Sequence, residues 1–335
     1  MNEAYSWKFS TTSEMAWEAM LASCREAKET IDLEQYIFGG GTTIERTFAD
    51  LFLAKAKAGV VVRLLFDAVG SFGFYRGALR QELEAGGVQV AFHRGILIPS
   101  LKRLFPLVLR DHRKLLVVDR NEAHIGGVII AGQARSWRDT SVCLRGKVVS
   151  ELARSFDTVW QRSRKMDPVG RVLSKKEGAE FSIAGNSFYL HDKDLYRSFL
   201  RHITAAKKYI YITSAYFSPN AEFRRALYYA HTKGVDVRIL LPEKSDILLA
   251  DLLAKRYFKT LRRHGVRVFL YTAKVLHAKS IVIDDHWASV GSCNFDWLSF
   301  WINYEVNVIS TNHTFASELR NLFLIDIQES QEVLP

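Results

Sequence analysis

The chain has 335 residues, enough for two domains of ordinary size, and its 48% hydrophobic and 24% charged residues are globular values. No apolar run approaches the ~20 residues that a membrane-spanning helix needs. The net charge of +10 indicates an anionic partner. Nucleic acid and an anionic lipid surface both fit, and charge alone does not separate them.

Helices and strands alternate in the first half. Helices are predicted at residues 13–28, 44–58 and 76–85, and strands at 30–38, 60–66 and 88–92. This alternation favours an α/β fold with a mostly parallel sheet covered by helices on both faces. The aromatic run Phe72–Tyr75 is a candidate surface loop.

Residues 93–109 interrupt the alternation with an apolar and basic segment that leads directly to His112. The corresponding connection in the second half is only a few residues long, from Thr272 to Val275. The segment has the composition of a membrane-contacting or substrate-gating loop. A helix packed on the core is the alternative.

The second half repeats the order of elements. Helices are predicted at 193–205, 221–233 and 247–264, and strands at 209–214, 235–241 and 266–271. The helix near 248–263 mixes Leu with Lys and Arg, the pattern of an ordinary surface helix. A polar stretch at 162–182 joins the halves, so we place the boundary near residue 170, giving domains 1–170 and 171–335.

The cysteines and the first residues bear on the compartment. Cys24, Cys143 and Cys293 are odd in number and widely scattered. That pattern indicates a reducing compartment and predicts no metal site. The first residues lack the charged and apolar regions of a secretion signal, so we expect a cytoplasmic chain.

One residue pattern occurs twice. The first copy is His112, Lys114, Asp119, Gly126 and Gly127, and the second is His277, Lys279, Asp284, Gly291 and Ser292. Each member of the second copy lies 165 positions after its partner, as 277 − 112 = 165 shows. Insertions and deletions would scramble this register unless both copies present the same geometry. The duplication therefore predicts two halves that contribute equally to one site.

Strand periodicity separates the motif residues into two faces. Alternate residues of a strand point the same way, so His112 and Lys114 project together, as do His277 and Lys279. Asp119 and Asp284 have the opposite parity. We expect these two aspartates to support the following turns and not to contact the histidines.

Two histidines and two lysines suit a shared site for a phosphodiester. Lysines supply positive charge to phosphoryl oxygens without a metal. One imidazole can attack phosphorus while the other protonates the leaving oxygen and then deprotonates the incoming nucleophile. We expect no metal or other cofactor in this reaction.

Each histidine also needs an acceptor for its second ring nitrogen. Asp139 lies 27 residues beyond His112, and Glu305 lies 28 residues beyond His277, both in strand-like segments. We therefore expect Asp139 to hold His112 and Glu305 to hold His277.

The chain resembles the phospholipase D superfamily with its two HKD motifs, and within it the bacterial cardiolipin synthases. Besides the motifs, the resemblance rests on segments that run through nearly the whole chain: residues 32–38, 59–67, 70–71, 110–114, 137–140, 215–219, 234–242, 276–279 and 291–296. It implies two similar domains packed as a pseudo-twofold pair. It also implies His112 as nucleophile and His277 as general acid and base.

Two departures from the family pattern stand out. Ile129 occupies the position of a family Asn in the first copy, whereas the second copy keeps Asn294. Gly39, Gly40 and Gly41 replace family acidic residues, and we expect this change to alter headgroup recognition.

The resemblance implies a specific reaction. A phosphatidyl group would pass from phosphatidylglycerol, through a phosphohistidine, to a second phosphatidylglycerol, giving cardiolipin and glycerol. Gly127, Ser292 and Asn294 would contact the substrate. The protein would associate peripherally with anionic phospholipid at the inner face of the cell membrane, and nucleic acid is the less favoured partner.

Two other functions compete with this interpretation. A phospholipase D or a nucleic-acid phosphodiesterase would use the same residues with water as acceptor. A non-catalytic protein that binds anionic lipid is a third possibility, and only Ile129 supports it. The apolar segment 93–109 favours lipid over nucleic acid, because a nuclease would place stacking aromatics among basic residues there.

Overall fold

The computed structural model describes residues 5–93, 109–165, 179–187 and 192–334. The first half contains strands β1 Ser6–Thr12, β2 Thr30–Gln35, β3 Val61–Asp67, β4 Gln89–His93, β5 Leu115–Val118, β6 Glu122–Gly126 and β7 Arg138–Arg145. Its helices are α1 Ser13–Glu26, α2 Thr43–Lys57, α3 Phe72–Arg76, α4 Ala78–Ala85 and α5 Val148–Lys165. The segment 94–108 and the boundary near residue 170 lie outside the described residues.

The second half has the same plan. Its strands are β8 Phe181–Ser187, β9 Asp192–Lys193, β10 Tyr209–Thr213, β11 Phe217–Ser218, β12 Asp236–Pro242, β13 Arg267–Tyr271, β14 Ser280–Ile283, β15 Trp287–Gly291, β16 Phe295–Asp296, β17 Glu305–Ser310 and β18 Ser330–Glu332. Its helices are α6 Asp194–Ala205, α7 Ala221–Thr232, α8 Leu248–Arg263, α9 Trp297–Trp301 and α10 His313–Gln328. None of the helices in the described ranges combines the length and apolar character that crossing a bilayer requires.

Each half forms one large sheet, which confirms the predicted pair of α/β domains. The strand orders are β1-β7-β6-β5-β2-β3-β4 and β18-β13-β12-β10-β14-β15-β17-β8-β9. The expectation of mostly parallel sheets is wrong. Parallel pairing joins only β2-β3-β4 in the first sheet and β10-β12-β13 in the second, and the other neighbours are antiparallel. The alternation of helix and strand gives way, from each HKD motif onward, to strands joined by short connections, which produce antiparallel pairs.

Three layers of apolar side chains hold the sheets and helices together. One core lies between the two sheets and includes Phe156 of α5 and Phe315 and Phe323 of α10. A second core packs α1 and α2 on the outer face of the first sheet, and a third packs α6 and α7 on the outer face of the second sheet. Because the central core draws on both sheets, the two halves form one packed unit.

A buried ion pair also crosses between the halves. Arg138 at the start of β7 donates from Nε and Nη2 to both carboxylate oxygens of Asp326 on α10, at 2.7 and 2.6 Å. Its Nη1 donates to the Asp139 carbonyl at 2.6 Å. Planar guanidinium groups match carboxylates in this bidentate geometry, so Arg138 fixes the backbone next to Asp139.

Candidate active site

The four motif side chains lie in two extended segments that lead into β5 and β14. His112 and Lys114 precede Leu115, and His277 and Lys279 precede Ser280. All four side chains are buried, with Lys279 at 0% exposed. Their charges lie close enough to act on one another, since Lys279 affects the pKa of His112 and Lys114 affects the pKa of His277. The two halves therefore contribute to one site.

Each motif segment runs beside a strand of the opposite half. The His112 N–H donates to the Tyr304 carbonyl at 3.0 Å, and the His277 N–H donates to the Arg138 carbonyl at 2.8 Å. Parallel bridges join Asp111 to Tyr304 and Leu276 to Arg138. The residues that follow Tyr304 and Arg138 are Glu305 and Asp139, so each carboxylate is placed beside the histidine of the other half.

The predicted pairing of carboxylates with histidines is therefore wrong. His112 Nδ1 lies 3.0 and 3.1 Å from the two carboxylate oxygens of Glu305. His277 Nδ1 lies 2.7 Å from Asp139 Oδ2. The separation of 27 or 28 residues along the chain predicts that each carboxylate holds the histidine of its own half. The backbone bridges instead place each carboxylate beside the histidine of the other half. Nδ1 is engaged in both rings, which leaves Nε2 of each ring for a substrate.

Burial keeps both imidazoles neutral in the unliganded site. Loss of solvent lowers the pKa of His112 to about 4, and the neighbouring lysines add to this effect while Glu305 opposes it. The pKa of His277 is also lowered, first by burial and then by the positive charge of Lys279. A neutral imidazole whose Nδ1–H donates to a carboxylate carries its lone pair on Nε2. Both rings are therefore set up as nucleophiles or bases.

Both lysines can lose their positive charge near neutral pH. Burial lowers the pKa of Lys114 to about 7 and that of Lys279 to about 8. Each ammonium also donates back to its own motif, Lys114 Nζ to the His112 carbonyl at 2.5 Å and Lys279 Nζ to the His277 carbonyl. A bound anion would restore the charge of both groups, so the pair suits a phosphodiester.

Asp119 and Asp284 lie away from the histidines, at the turns after β5 and β14. Asp119 accepts the backbone N–H groups of residues 28–30 at 2.8 Å. Asp284 accepts those of residues 207–209 at 2.7 to 2.8 Å. Both aspartates have φ near +50°, a left-handed conformation that Asp tolerates better than most residues. Each carboxylate thus ties a β-turn to the start of the neighbouring strand.

Gly127 and Ser292 occupy equivalent positions with different contacts. A Cβ on Gly127 would lie 2.3 Å from Asp139 Oδ1 and 2.9 Å from the His277 carbonyl oxygen, so only glycine fits there. Ser292 instead donates its hydroxyl to Glu305 Oε2. The structure therefore places both residues against the carboxylates that hold the histidines.

The position of Ile129 makes the two halves chemically unequal. Ile129 is buried in the outer apolar core of the first half. Asn294, its counterpart, is buried with an Oδ1 that has no hydrogen-bond partner in the described part of the chain. The second half thus offers a free polar group where the first half is apolar.

The glycines that replace family acidic residues also have a structural reason. A Cβ on Gly39 would collide with the buried Glu45 carboxylate.

Three aromatic residues around the histidines were not singled out from the sequence. The Tyr36 ring contacts His112 edge-on at 4.9 Å between centroids, and Lys114 Nζ lies 5.2 Å from the same ring. Trp137 and Tyr216 lie 5.1 and 6.2 Å from the His277 ring. All three fall in the segments that carry the family resemblance, but no periodicity marked them as site residues.

A buried charged cluster beneath the first motif was also missed. Arg113 Nη2 lies 3.1 Å from Glu34 Oε2 and donates to Ser155 Oγ at 2.8 Å. Asp111 shares this environment, and burial together with the Glu34 charge raises the pKa of Asp111 well above its usual range. The equivalent residues of the second half, Leu276 and Ala278, are apolar core. A position-by-position comparison of the two motif copies could have revealed this cluster, because charged residues of the first copy align with apolar residues of the second.

The comparisons with known proteins agree with this geometry. The family model described as "Cardiolipin synthase, PLD-like domain" matches residues 20–160 and 199–327. These two matched ranges contain the first and second HKD motifs, respectively.

Two curated relatives cover most of the chain. A probable cardiolipin synthase of Bacillus subtilis (strain 168) is 32% identical over 93% of this chain and 64% of its own length. A cardiolipin synthase of Listeria innocua is 31% identical over 95% of this chain and 68% of its own length. The chain thus spans about two thirds of the length of these relatives, and slightly less than that for the first.

A solved structure has the same fold. The phosphatidylserine synthase of Haemophilus influenzae Rd KW20 matches with a TM-score of 0.78 at 12% identity, over 98% of this chain and 87% of that one. Such low identity supports the fold alone. With a family model that covers both halves and relatives above 30% identity, the chain belongs to the cardiolipin synthase family of phospholipase D-like proteins.

Proposed function

We propose that this chain transfers a phosphatidyl group from phosphatidylglycerol to the hydroxyl of a second phosphatidylglycerol, giving cardiolipin and glycerol. One observation carries the proposal: two neutral histidines, each held by a carboxylate of the opposite half, share one buried site with two lysines. The relatives that are named cardiolipin synthases support the choice of substrate.

In the first step, His112 Nε2 attacks phosphorus. A P–N bond forms, the P–O bond to the glycerol headgroup breaks, and His277 Nε2–H gives its proton to the leaving oxygen. Binding of the diester anion raises the pKa of His277, which is lowered in the unliganded site, so that the ring can carry this proton. The lysines balance the negative charge on the phosphoryl oxygens.

In the second step, His277 Nε2 takes the proton of the incoming glycerol hydroxyl, and that oxygen attacks the phosphohistidine. The P–O bond of cardiolipin forms and the P–N bond breaks, which returns His112 to its neutral state. We place the acceptor on the side of Ser292 and Asn294, because the free Asn294 Oδ1 supplies a hydrogen-bond acceptor for a hydroxyl.

Product analysis tests the reaction class. Purified protein is incubated with labelled phosphatidylglycerol, with phosphatidylethanolamine and glycerol, or with DNA, and the products are separated. Cardiolipin and free glycerol are the expected products. Phosphatidic acid alone would instead indicate a hydrolase that uses water, cleaved DNA would indicate a nuclease, and unchanged lipid would indicate a binding protein.

The pKa values of the site predict a bell-shaped pH profile. The value of kcat/KM for a short-chain phosphatidylglycerol should fall below about pH 4, where His112 becomes protonated. It should also fall as the pH rises, first because His277, whose pKa is lowered, must carry the proton that it gives to the leaving oxygen. A further fall is expected through about 7 and 8, where Lys114 and Lys279 lose their charge. The sign follows because the anion stabilises the ammonium forms, so binding is complete below the pKa values of the free enzyme and weakens above them.

Replacing Lys114 by Arg provides the control for the basic limb, since arginine stays charged. The fall near pH 7 should then disappear, and the fall near pH 8 that follows Lys279 should remain. A wild-type profile that stays flat to pH 10 would contradict the role of the lysines in binding the diester.

We further propose that an exposed apolar surface at the mouth of the site docks on an anionic bilayer. This docking surface consists of Ile247, Leu248, Leu249, Leu252, Trp297 and Leu298. Leu248 is 73% exposed and Trp297 is 51% exposed. Large contiguous exposed apolar groups mark membrane or protein contacts.

Connections to the catalytic residues support the location of this surface. The hydroxyl of Tyr216, whose ring faces His277, donates to Asp246 at 2.7 Å. Asp246 directly precedes Ile247, and Asp296, whose charge acts on Lys279, directly precedes Trp297. Further along α8, Lys255, Arg256 and Lys259 are exposed and complement anionic headgroups. This proposal replaces the interpretation of α8 as an ordinary surface helix.

Replacing Leu248, Leu249 and Leu252 by Ser should weaken binding to phosphatidylglycerol vesicles at least tenfold, because each side chain loses its apolar contact with the bilayer. Activity on a short-chain soluble substrate should remain. Cosedimentation with vesicles at low and high salt measures the first effect, and wild-type binding should weaken as salt rises. Ile325→Ser is the matched control, since Ile325 is 56% exposed on α10. Equal losses in both variants, or no loss in the triple variant, would refute this surface.

A further inference from the structure

A cluster of three possible metal ligands lies on the first sheet, and the proposed reaction does not use it. Glu122 and His124 are alternate residues of β6 and share one face, and Cys143 of β7 is paired directly opposite His124. One ligand atom from each side chain lies within 4.8 Å of the others. His124 is buried, and the other two residues are partly exposed.

The donor set fits one class of cation. Imidazole nitrogen, thiolate sulfur and carboxylate oxygen together are the ligands of zinc, whereas calcium and magnesium prefer oxygen alone. Zinc bonds of about 2.0–2.3 Å in a tetrahedron put ligand atoms roughly 3.3–3.8 Å apart. His124 Nε2 and Glu122 Oε1 lie 3.4 Å apart, which is within this range.

Neighbouring groups orient these ligands as supporting residues do at metal sites. Arg145 Nε donates to Glu122 Oε2 at 2.6 Å, which leaves Oε1 directed toward His124. Ser23 of α1 places its Oγ 2.8 Å from His124 Nε2 and also contacts Glu122. The hydroxyl therefore lies beside two of the three ligand atoms, and a small outward shift, or an intervening water, would make it the fourth ligand.

Two features oppose a cation and set the conditions for binding. Lys8 of β1 is paired with Cys143, and Arg145 adds a second positive charge. Cys143 must also lose its thiol proton to bind a metal, since the thiolate is the ligand form of cysteine. A bound zinc ion would displace that proton to solvent, and the thiolate and carboxylate together would then balance its charge.

We propose that Glu122, His124 and Cys143 bind one zinc ion that clamps helix α1 onto strands β6 and β7. The site is structural: Ser23 of α1 fills its fourth position, either directly or through a water. The scattered cysteines predicted no metal site, because the spacing along the chain does not reveal that β6 and β7 bring His124 and Cys143 face to face.

Cobalt substitution in the tag-free chain of 335 residues tests the proposal. Titration with Co²⁺ alone should saturate at one equivalent, with the intense visible bands of a tetrahedral site and a thiolate-to-cobalt charge-transfer band in the near ultraviolet. Zn²⁺ should displace the Co²⁺ and should raise the melting temperature by several degrees. In Cys143→Ser the charge-transfer band should vanish, and in His124→Gln and Glu122→Gln the affinity should fall at least tenfold.

Two control variants separate this site from others. Cys24→Ser removes the buried thiol of α1, and the double variant His112→Ala/His277→Ala removes the catalytic imidazoles. Both should keep the full spectrum and the stabilisation by Zn²⁺. Absence of stoichiometric binding, a charge-transfer band that survives Cys143→Ser, or loss of binding in the double variant would overturn the proposal. Circular dichroism of the metal-free Cys143→Ser protein checks that it is folded, and Glu122→Gln provides an independent variant if it is not.

Discussion

Replacing His112 by Ala is expected to lower phosphatidyl transfer by roughly 10⁴-fold or more, because the proposed reaction loses its nucleophile. The same substitution at His277 should cause a loss of several orders of magnitude on natural substrate. The two variants should differ in one measurement. With a chromogenic diester whose leaving group needs no proton, the His277→Ala protein should still accumulate a covalent phosphohistidine, and the His112→Ala protein should form none.

Intact-protein and peptide mass spectrometry after rapid quenching at alkaline pH locate the covalent group. His286→Ala is the matched control, because His286 is exposed on the turn after β14 and its loss should leave transfer unchanged. A phosphoryl group mapped to His277 would reverse the assignment of the two histidines. Absence of a covalent species in every variant would argue against a two-step reaction.

Removing either carboxylate that holds a histidine should lower turnover by roughly 10²–10⁴-fold, as loss of such an acceptor does in other imidazole-based sites. The crossed pairing makes the two losses distinguishable. Glu305→Gln disturbs His112, the proposed nucleophile, so a better leaving group should not restore formation of the covalent species. Asp139→Asn disturbs His277, the proposed acid, so its defect in the same step should shrink with a better leaving group.

Single-turnover kinetics with a poor and a good leaving group measure this difference. If each carboxylate held the histidine of its own half, the outcome would be the opposite. The rate defect of Asp139→Asn would then not depend on the leaving group. Asp119→Asn serves as the control, because this HKD aspartate accepts the backbone N–H groups of residues 28–30. It should lower the melting temperature and leave the leaving-group dependence of the remaining activity unchanged.

Much of the candidate site could be predicted from local pattern. The fixed register between His112 and His277 identified two equivalent halves, and strand parity separated the histidines and lysines from Asp119 and Asp284. These inferences hold because side-chain direction in an extended segment depends only on sequence position. Three helices of each half were predicted for a similar reason, since amphipathic periodicity is a local property of the chain. The long helices α5 and α10 were not among the predicted ones.

Only the tertiary structure decided which residues of different segments meet. Backbone bridges to Tyr304 and Arg138 assign Glu305 to His112 and Asp139 to His277, and sequence separation cannot specify such a long-range pairing. Sheet register likewise places Cys143 opposite His124. The antiparallel strands after each motif were mistaken for part of a parallel sheet because buried strands of either type are equally apolar. Sequence determined which residues could act, and the packing of the two sheets decided which residues act together.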